Sequence, residues 1–322
     1  MKAAVYYETG GPEVFRYEDV PDPVCDAGGV LIDVGAISIE GGDTLHRAGG
    51  VMAARPHIVG YQCAGVLRSV GDSVTDRHVG QRVVAVMMHG SHAARVAVPA
   101  SMTWVLPETL DLQIGACVPI AVGTADDCLF EFGRLRAGET VLVHAGASGV
   151  GMAAIQLAKR AGAIVLATAS SDAKLERLKA YGLDHGINYR TGDFVGAVQT
   201  LTNGHGADLV VDSVGGRTLE GSIAAAAYRG RISYVGSAGR DAYVPNADLL
   251  RPGNKSLTGI FLGAELVLNH RRVHPMIQRH LEDATRGDLK IVIDRTFPLA
   301  DAAAAHAFIE SRQAFGRVVL IP

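Results

Sequence analysis

Cysteine is scarce in this chain: there are four in 322 residues, and no two form a Cys-x-x-Cys pair. Disulfide frameworks and thiolate zinc clusters need closely spaced cysteines, so neither is predicted. Without a disulfide framework, a reducing cytoplasmic compartment is the expectation.

Long apolar runs and an excess of either charge are also missing. No run approaches the roughly 20 apolar residues of a membrane helix, and residues 1–15 lack the apolar core of a signal peptide. The net charge of −3 and pI of about 6.5 give no reason to expect a nucleic acid or an anionic membrane as partner. The 48% of hydrophobic residues and the length predict a globular protein of two domains.

The pattern of apolar residues changes along the chain near residue 120. Up to there, short apolar or alternating runs between Gly, Pro and Asp predict a barrel-like antiparallel fold. Residues 121–262 alternate apolar strands with amphipathic helices, which predicts a doubly wound parallel sheet. Residues 263–322, with a helix interrupted at Pro275, are interpreted as a return to the domain of residues 1–120.

The stretch VLVHAGASGVG, residues 141–151, places glycines between an apolar strand and a helix. Bare main-chain amides at a helix start bind a diphosphate, and large side chains would block that approach. The spacing Gly146-x-Ser148-x-x-Gly151 is close to the G-x-G-x-x-G of dinucleotide-binding turns, with serine at the middle position. A glycine-rich turn of an unrelated α/β domain is the alternative.

The end of the second strand decides between NAD and NADP. An acidic residue there usually holds the ribose hydroxyls of NAD, but here Ser170 and Ser171 stand at this point and Lys174 follows. Hydroxyls and an ammonium suit a 2′-phosphate, so NADPH is predicted. Two alternatives stay open: Asp172 as a displaced ribose ligand, or Asp172 and Lys174 as a helix cap and a surface charge.

These residues carry a resemblance that spans nearly the whole chain. The sequence resembles the zinc-independent quinone oxidoreductases of the medium-chain dehydrogenase/reductase superfamily, in MKAAVYYETGGPEVFRYEDVP, HAARVAVP, AFGRVVLIP and above all VGTADDCLFEFGRLRAGETVLVHAGASGVGMAAIQLAKRAGA. The resemblance implies an α/β protein with a GroES-like β-rich catalytic domain (1–120 and 263–322) and a Rossmann NADPH-binding domain (121–262). It also implies a homodimer joined through the edge of the Rossmann sheet.

The resemblance also implies which residues contact the cofactor. Lys174 and Tyr189 match residues that bind the 2′-phosphate, although Tyr189 is equally a structural aromatic that ends a strand. Phe261 and Leu262 are expected at the nicotinamide ring. The full expected set is Gly146, Ala147, Ser148, Gly149, Val150, Gly151, Ser170, Ser171, Lys174, Tyr189, Val214, Gly236, Phe261 and Leu262.

The metal ligands of the zinc-dependent relatives are absent from the sequence. Those relatives use a Cys near position 40, a His-Glu pair near position 61 and a four-Cys lobe, whereas this chain has Glu40, Tyr61 and Gln62 and no lobe. Neutral Gln is a poor zinc ligand, so no metal is predicted. The candidate catalytic residues are Glu40, where the family often has Asn, with Asp43, Tyr61 and Thr124; Thr124 is alternatively a helix N-cap.

Reduction of an activated C=C bond also needs a proton donor, a side chain or water. The candidates are Tyr61, His46, His89 and His92. A soft-metal site at Met87, Met88, His89 and His92 is a weak alternative to a hairpin tip, and His270 and His274 are interpreted as part of a solvated basic face.

The function that follows is NADPH-dependent reduction of a small quinone or α,β-unsaturated carbonyl compound. Two alternatives remain at this point: an enoyl-thioester reductase, or a non-catalytic NADPH-binding redox sensor. The sensor stays open because an ionised Glu40 disfavours an electron-rich substrate.

Overall fold

The computed structural model describes residues 1–322, and the chain divides into two compact units. The first comprises Met1–Ile120 with Asn269–Pro322, and the second comprises Ala121–Leu268. The division after Leu268 lies later than the boundary expected after residue 262. The reason is that Leu262–Leu268 forms a helix that belongs to the second unit.

Strands and helices follow one another in this order along the chain. The strands are β1 (Lys2–Val5), β2 (Arg16–Asp19), β3 (Gly29–Ser38), β4 (Gln62–Val70), β5 (Arg82–Val86), β6 (Arg95–Pro99), β7 (Thr103–Val105), β8 (Thr140–Val143), β9 (Ile164–Ala169), β10 (His185–Asn188), β11 (Ala207–Asp212), β12 (Ala226–Tyr234), β13 (Ser256–Gly259), β14 (Ile293–Pro298) and β15 (Arg317–Ile321). The α-helices are α1 (Gly41–Gly49), α2 (Leu112–Ala116), α3 (Pro119–Asp126), α4 (Gly149–Arg160), α5 (Asp172–Lys179), α6 (Phe194–Leu201), α7 (Arg217–Ala225), α8 (Leu262–Leu268), α9 (His270–Arg286) and α10 (Ala302–Glu310).

The first unit is built on a seven-stranded sheet of order β14-β15-β3-β4-β5-β7, with β6 paired to β3. All pairings except β14–β15 are antiparallel. Alternate residues of β3, such as Val30, Ile32 and Val34, enter a core that α10 also covers. Period-two alternation thus buries one face of the strand, as the sequence predicts. The predicted antiparallel β-rich fold of this unit is confirmed.

The second unit carries six parallel strands in the order β10-β9-β8-β11-β12-β13. Counted from β8, this is the 3-2-1-4-5-6 order of the Rossmann fold. Strands β9 and β11 lie on opposite sides of β8, so the order reverses where β8 ends. Leu142, Leu166 and Val210 are buried in the core of this unit. The predicted doubly wound sheet is confirmed.

The helical segment after residue 262 is broken at a different place from the one predicted. Asn269, with a non-helical φ of −123° and ψ of 34°, separates α8 from α9, while Pro275 lies inside α9 on its exposed side. The predicted interruption at Pro275 is wrong: α9 continues through it, and the Arg271 carbonyl that loses its intrahelical donor belongs to an exposed residue. No helix of the chain has the length and the apolar composition that crossing a membrane requires.

Candidate functional site

The glycine-rich turn joins β8 to α4 at the point where the strand order reverses. Ser148 caps α4, because its Oγ accepts the N–H of Gly151 at 3.1 Å. A Cβ on Gly151 would lie 2.3 Å from the carbonyl oxygen of Ala145, and one on Gly146 would lie 2.9 Å from the Cβ of Ala167. Both glycines are therefore required by close approach of the turn to itself and to the neighbouring strand.

The first main-chain amides of α4 are the hydrogen-bond donors that this turn can offer to a ligand. Gly149 and Val150 occupy the first two helical positions, whose N–H groups have no carbonyl partner within the helix, and both residues are partly exposed. The neighbouring Ala147 is buried and small. The hydroxyl of Ser148 keeps its own hydrogen to donate, although its lone pair serves the cap. This arrangement fits the diphosphate of a dinucleotide.

A second group of polar side chains stands where β9 and β10 end. Ser170 and Ser171 follow β9, and Ser171 caps α5 by accepting the N–H of Lys174 at 3.3 Å. Tyr189 follows β10, is exposed, and its N–H donates to the carbonyl of Ala169 at 3.2 Å. These residues thus lie beyond the carboxyl ends of β9 and β10, as predicted.

Asp172 has a partner of its own. It is exposed at the first position of α5, and its Oδ1 accepts the side-chain amide of Asn188 at 3.0 Å. This bond connects the start of α5 to the end of β10. Asp172 therefore has a structural role that the sequence alternatives did not include.

The other residues expected at the cofactor follow β11, β12 and β13. Val214 and Gly236 are partly exposed, and a Cβ on Gly236 would meet nothing within 4 Å. Phe261 is exposed, whereas Leu262 is buried at the start of α8. Only Phe261 of this pair presents its side chain on the surface of the second unit.

Thr124 also belongs to the second unit. It is buried within α3. The alternative of Thr124 as a helix N-cap is wrong, since it lies inside the helix rather than before one.

In the first unit, Glu40 is held in a buried ion pair that the sequence did not predict. Both of its carboxylate oxygens accept from the guanidinium of Arg317, one of them at 3.1 Å, and Gln62 Nε2 donates to Oε1 at 2.5 Å. Burial raises the pKa of Glu40, opposed by Arg317. Burial acts to lower the pKa of Arg317, but Glu40 and the Cys117 thiol outweigh it, so that this pKa is raised.

Asp43 and Tyr61 lie close to this ion pair. Asp43 Oδ2 accepts the N–H of Glu40 at 2.7 Å, while Oδ1 is buried without a partner. Burial raises the pKa of Asp43 well above its ordinary value. The ring of Tyr61 covers Gly42, where a Cβ would lie 2.6 Å from Cε2, and burial raises the Tyr61 pKa as well. Burial therefore acts against the charged form of both side chains.

The candidate histidines separate into two groups. His46, His57 and His89 form a ring cluster, with centroids 4.9 Å apart for His46–His57 and 5.3 Å for His57–His89. His92 instead lies fully buried with its Nε2 3.0 Å from that of His306, and burial lowers its pKa to about 3. His92 and His89 are thus in different environments, which argues against a shared metal site.

Two further histidines correct the prediction of a solvated face on α9. His270 Nε2 lies 2.9 Å from the carbonyl oxygen of Ser101, and His274 Nε2 lies 3.1 Å from that of Thr103. His274 stacks on Trp104, whose indole N–H donates to the His274 carbonyl. The pair anchors α9 to the chain around β7, so the predicted solvated role is wrong for both. No group of three or more His, Cys, Asp or Glu residues is arranged to hold a metal ion.

Sequence reasoning missed the polar side chains buried beneath the glycine-rich turn, His144, Thr168, Asp212 and Ser222. It also missed Arg317, His57 and His306 as partners. These residues are separated widely along the chain, and no local pattern indicates that they meet.

A GroES-like unit together with a Rossmann unit whose first helix starts at a glycine-rich turn defines the medium-chain dehydrogenase/reductase class. Two family models match in agreement with this: "Alcohol dehydrogenase GroES-like domain" over residues 26–108 and "Zinc-binding dehydrogenase" over residues 149–282.

Known proteins narrow the class further. A 2-haloacrylate reductase from Burkholderia sp is 34% identical, covering 100% of this chain and 99% of that protein. A quinone oxidoreductase from Rattus norvegicus is 31% identical, covering 100% and 98%. The structure of Escherichia coli quinone oxidoreductase complexed with NADPH matches with a TM-score of 0.94, 26% identity and full coverage of both chains. The chain belongs to the quinone oxidoreductase-like family of the medium-chain dehydrogenases/reductases, and it is an oxidoreductase; the predicted family is confirmed.

Proposed function

We propose that the chain transfers hydride from NADPH to quinones or α,β-unsaturated carbonyl compounds without a zinc ion. The observation that carries this is the glycine-rich turn at the reversal of strand order. There, Gly146 and Gly151 leave no room for a Cβ and the amides of Gly149 and Val150 begin α4. Relatives of this chain include a quinone oxidoreductase solved with NADPH and a 2-haloacrylate reductase.

The adenosine 2′-phosphate is bound where β9 and β10 end. Ser170, Ser171, Lys174 and Tyr189 supply hydroxyls and an ammonium there, which suits a dianion. Asp172, the alternative ribose ligand, accepts from Asn188 instead. NADPH is therefore preferred over NADH.

NADPH supplies the hydride, and the residues of this chain position the reactants. Thr124 holds the carboxamide or the substrate carbonyl through its hydroxyl. Tyr61, whose raised pKa keeps the phenol protonated, donates a hydrogen bond to the substrate oxygen. Glu40 and Asp43 act as positioning groups, since Arg317 and the Glu40 main chain engage their carboxylates.

The zinc-free chemistry is supported by the same ion pair. The guanidinium of Arg317 already balances the charge of Glu40, and Gln62 contributes a neutral amide that donates to Glu40 rather than a metal ligand. The substrate carbonyl is then activated by hydrogen bonds alone. Stoichiometric zinc in the purified protein would contradict this.

The proton for the second carbon comes from Tyr61, His46 or His89, or from water that they orient. His92 is removed from the candidates, because it is fully buried and its Nε2 forms a hydrogen bond with the Nε2 of His306. His89 is exposed and His46 partly so, so both are accessible to exchange protons with solvent.

Oxidation of NADPH at 340 nm tests the activity, with 1,4-benzoquinone, 3-penten-2-one, 2-chloroacrylate and crotonyl-CoA as separate substrates. Turnover of the quinone or the enone is the expected result. Turnover of crotonyl-CoA alone would indicate an enoyl-thioester reductase. Tight NADPH binding without turnover of any of them would indicate a redox sensor.

Lys174→Ala tests the cofactor preference. We expect the dissociation constant of NADPH to rise about 10- to 100-fold, because a charge-assisted hydrogen bond to the 2′-phosphate is lost, and that of NADH to change little. Titration of the nucleotide fluorescence measures both. Lys179→Ala is the matched control, since Lys179 is exposed on the same helix and pairs with Glu176. Equal weakening of both nucleotides by Lys174→Ala would contradict the assignment.

The chain forms a homodimer through the edge of its Rossmann sheet. Strand β13 lies at that edge, and Leu257 on it is exposed. An open apolar edge strand favours pairing with a second copy. Leu257→Arg is expected to give a monomer by sedimentation, whereas Leu201→Arg, at an exposed leucine of α6, leaves the dimer intact. A cytoplasmic, reducing compartment suits the four free thiols.

A further inference from the structure

Four polar side chains meet inside the second unit at the ends of its central strands. His144 follows β8, Thr168 lies in β9, Asp212 ends β11 and Ser222 lies in α7, and all four are buried. His144 Nδ1 lies 3.1 Å from Thr168 Oγ1, and His144 Nε2 lies 3.0 Å from Ser222 Oγ. Ser222 Oγ lies 2.7 Å from Asp212 Oδ2. Residues so far apart in sequence thus share one hydrogen-bonded chain.

Asp212 determines which atoms of this hydrogen-bond network donate and which accept. Its carboxylate only accepts: Oδ1 receives the N–H of Val214 at 2.8 Å and that of Gly215 at 2.9 Å, and Oδ2 receives the hydroxyl of Ser222. Ser222 Oγ also lies 3.0 Å from the carbonyl oxygen of Thr218, which like the Asp212 carboxylate can only accept. The single hydrogen of Ser222 is thus used on an acceptor, and its oxygen accepts from His144 Nε2–H.

The other side of the imidazole is fixed by the same reasoning. A neutral ring with its hydrogen on Nε2 has a bare Nδ1, which accepts the hydroxyl of Thr168. Thr168 Oγ1 in turn accepts the N–H of Ala145 at 3.3 Å. Burial lowers the pKa of His144 against the opposing charge of Asp212, in agreement with a neutral ring.

The hydrogen-bond network ends on both sides at main-chain amides, which belong to two different loops. Ala145 opens the glycine-rich turn with an unusual positive φ of 50°, and the next amide, that of Gly146, donates to the Thr168 carbonyl at 2.8 Å. Val214 and Gly215 belong to the loop after β11. The buried chain therefore fixes the distance between the glycine-rich turn and that loop.

We infer that His144, together with Thr168, Ser222 and Asp212, is a positioning network that sets these two loops at the spacing NADPH requires. The inference rests on the proposed function, because it takes both loops as cofactor-binding. None of the four side chains needs to touch the nucleotide: buried hydrogen-bond networks rigidify what they connect, and their loss is felt at both ends. The network thus adds positioning residues to a site otherwise composed of glycines and small residues.

The first test reads the network in the protein without cofactor. Nitrogen-15 NMR of histidine-labelled protein, with His144→Gln used to assign the signal, reports which ring nitrogen carries hydrogen. We expect a protonated Nε2 and an unprotonated Nδ1 from pH 6 to 8. A hydrogen on Nδ1, or a doubly protonated ring in that range, would overturn the proposed order.

The second test compares cofactor affinity in Thr168→Val and Ser222→Ala. Each removes one link without a large change of volume, and we expect the dissociation constant of NADPH to rise about tenfold, the effect of one lost buried hydrogen bond. Thr168→Ser restores the hydroxyl and should bind as the wild type does. Thr140→Val, the same change at the opposite end of the sheet, is the matched control.

The outcomes separate this inference from the proposed function. If both variants lose free energy of unfolding but bind NADPH within about twofold of the wild type, the network is merely structural and the inference fails. If Thr168→Val does not fold, Ser222→Ala alone decides. If the wild-type protein itself binds no NADPH, the proposed function fails first and the inference falls with it.

Discussion

The role that the sequence suggests for Glu40 changes once its partner Arg317 is known. In the sequence, Glu40 replaces an expected Asn and adds a negative charge to a presumed substrate region. In the structure, that charge is buried against a guanidinium and an amide, and the pair is closed to solvent. The carboxylate therefore does not face a substrate as a free charge, which weakens the argument for a non-catalytic sensor.

Arg317→Met is predicted to destabilise the first unit by about 3–5 kcal/mol, because it leaves the Glu40 carboxylate buried without its cation. Urea unfolding followed by circular dichroism measures the change. The double variant Glu40→Gln/Arg317→Met should recover part of the loss, since no charge then remains buried. Arg271→Met, at an exposed arginine, is the control and should stay within about 0.5 kcal/mol of the wild type. A loss below about 1 kcal/mol for Arg317→Met would contradict the role given to the pair.

At the scale of elements, the junction of β8 and α4 brings the turn and the helix start together. Three features meet there: the cap from Ser148, the close approach of Gly151 to Ala145, and the free amides at the start of the helix. Each feature constrains the same few residues. Most helices tolerate a side chain in their first turn, but the close approach of Ala145 excludes one at Gly151.

Gly151→Ala is predicted to move the start of α4, because its Cβ would lie 2.3 Å from the Ala145 carbonyl oxygen and 2.8 Å from the Gly146 Cα. We expect a loss of about 1–3 kcal/mol in the free energy of unfolding and a weakening of NADPH of more than roughly tenfold. Thermal unfolding and fluorescence titration measure the two effects.

The control for this change is Gly28→Ala, at an exposed turn where a Cβ meets nothing within 4 Å. It should leave both quantities near those of the wild type. If Gly151→Ala bound NADPH normally, the assignment of the diphosphate to this turn would be wrong.

Across the whole molecule, burial lowers the pKa of five histidines. They are His57 (to about 4), His92 (to about 3), His144, His274 and His306. Each is neutral in the folded chain over a range of pH in which the unfolded chain is protonated. The protein as a whole should therefore respond to mild acid.

We predict that the free energy of unfolding falls as the pH drops below 6.5. The unfolded chain then binds more protons than the folded one, so each deeply buried histidine costs about 1 kcal/mol between pH 6.5 and 5.5. The raised pKa values of Glu40 and Asp43 act in the opposite direction, with stability lost as the pH rises through them, but these are two groups against five histidines. Urea unfolding at pH 7.5, 6.5 and 5.5 measures the trend.

His92→Phe/His306→Phe removes the buried pair and should make this dependence on pH shallower. The rings of both already pack against Phe15, so an aromatic replacement suits the site. An unchanged slope between pH 6.5 and 5.5 would show that the pair does not contribute.

The sequence by itself determined the fold class and the glycine-rich turn that precedes α4. Period-two alternation in β3, strands alternating with helices after residue 120, and the glycines at positions 146 and 151 are local patterns, which physical chemistry translates directly into strands, helices and a turn. For the cap of α5 the sequence left Ser171 or Asp172 open, and the structure shows that it is Ser171. Lys174, in the first turn of α5, and Tyr189 follow the neighbouring strands β9 and β10.

Only the tertiary structure decided the environment of the polar groups. Glu40 meets Arg317 across 277 positions and His144 meets Ser222 across 78, and such pairings leave no periodic trace in a sequence. The protonation of a buried group depends on its partners and on how completely water is excluded from it. For this reason the ion pair, the histidine pair and the network under the glycine-rich turn became visible only once the chain was folded.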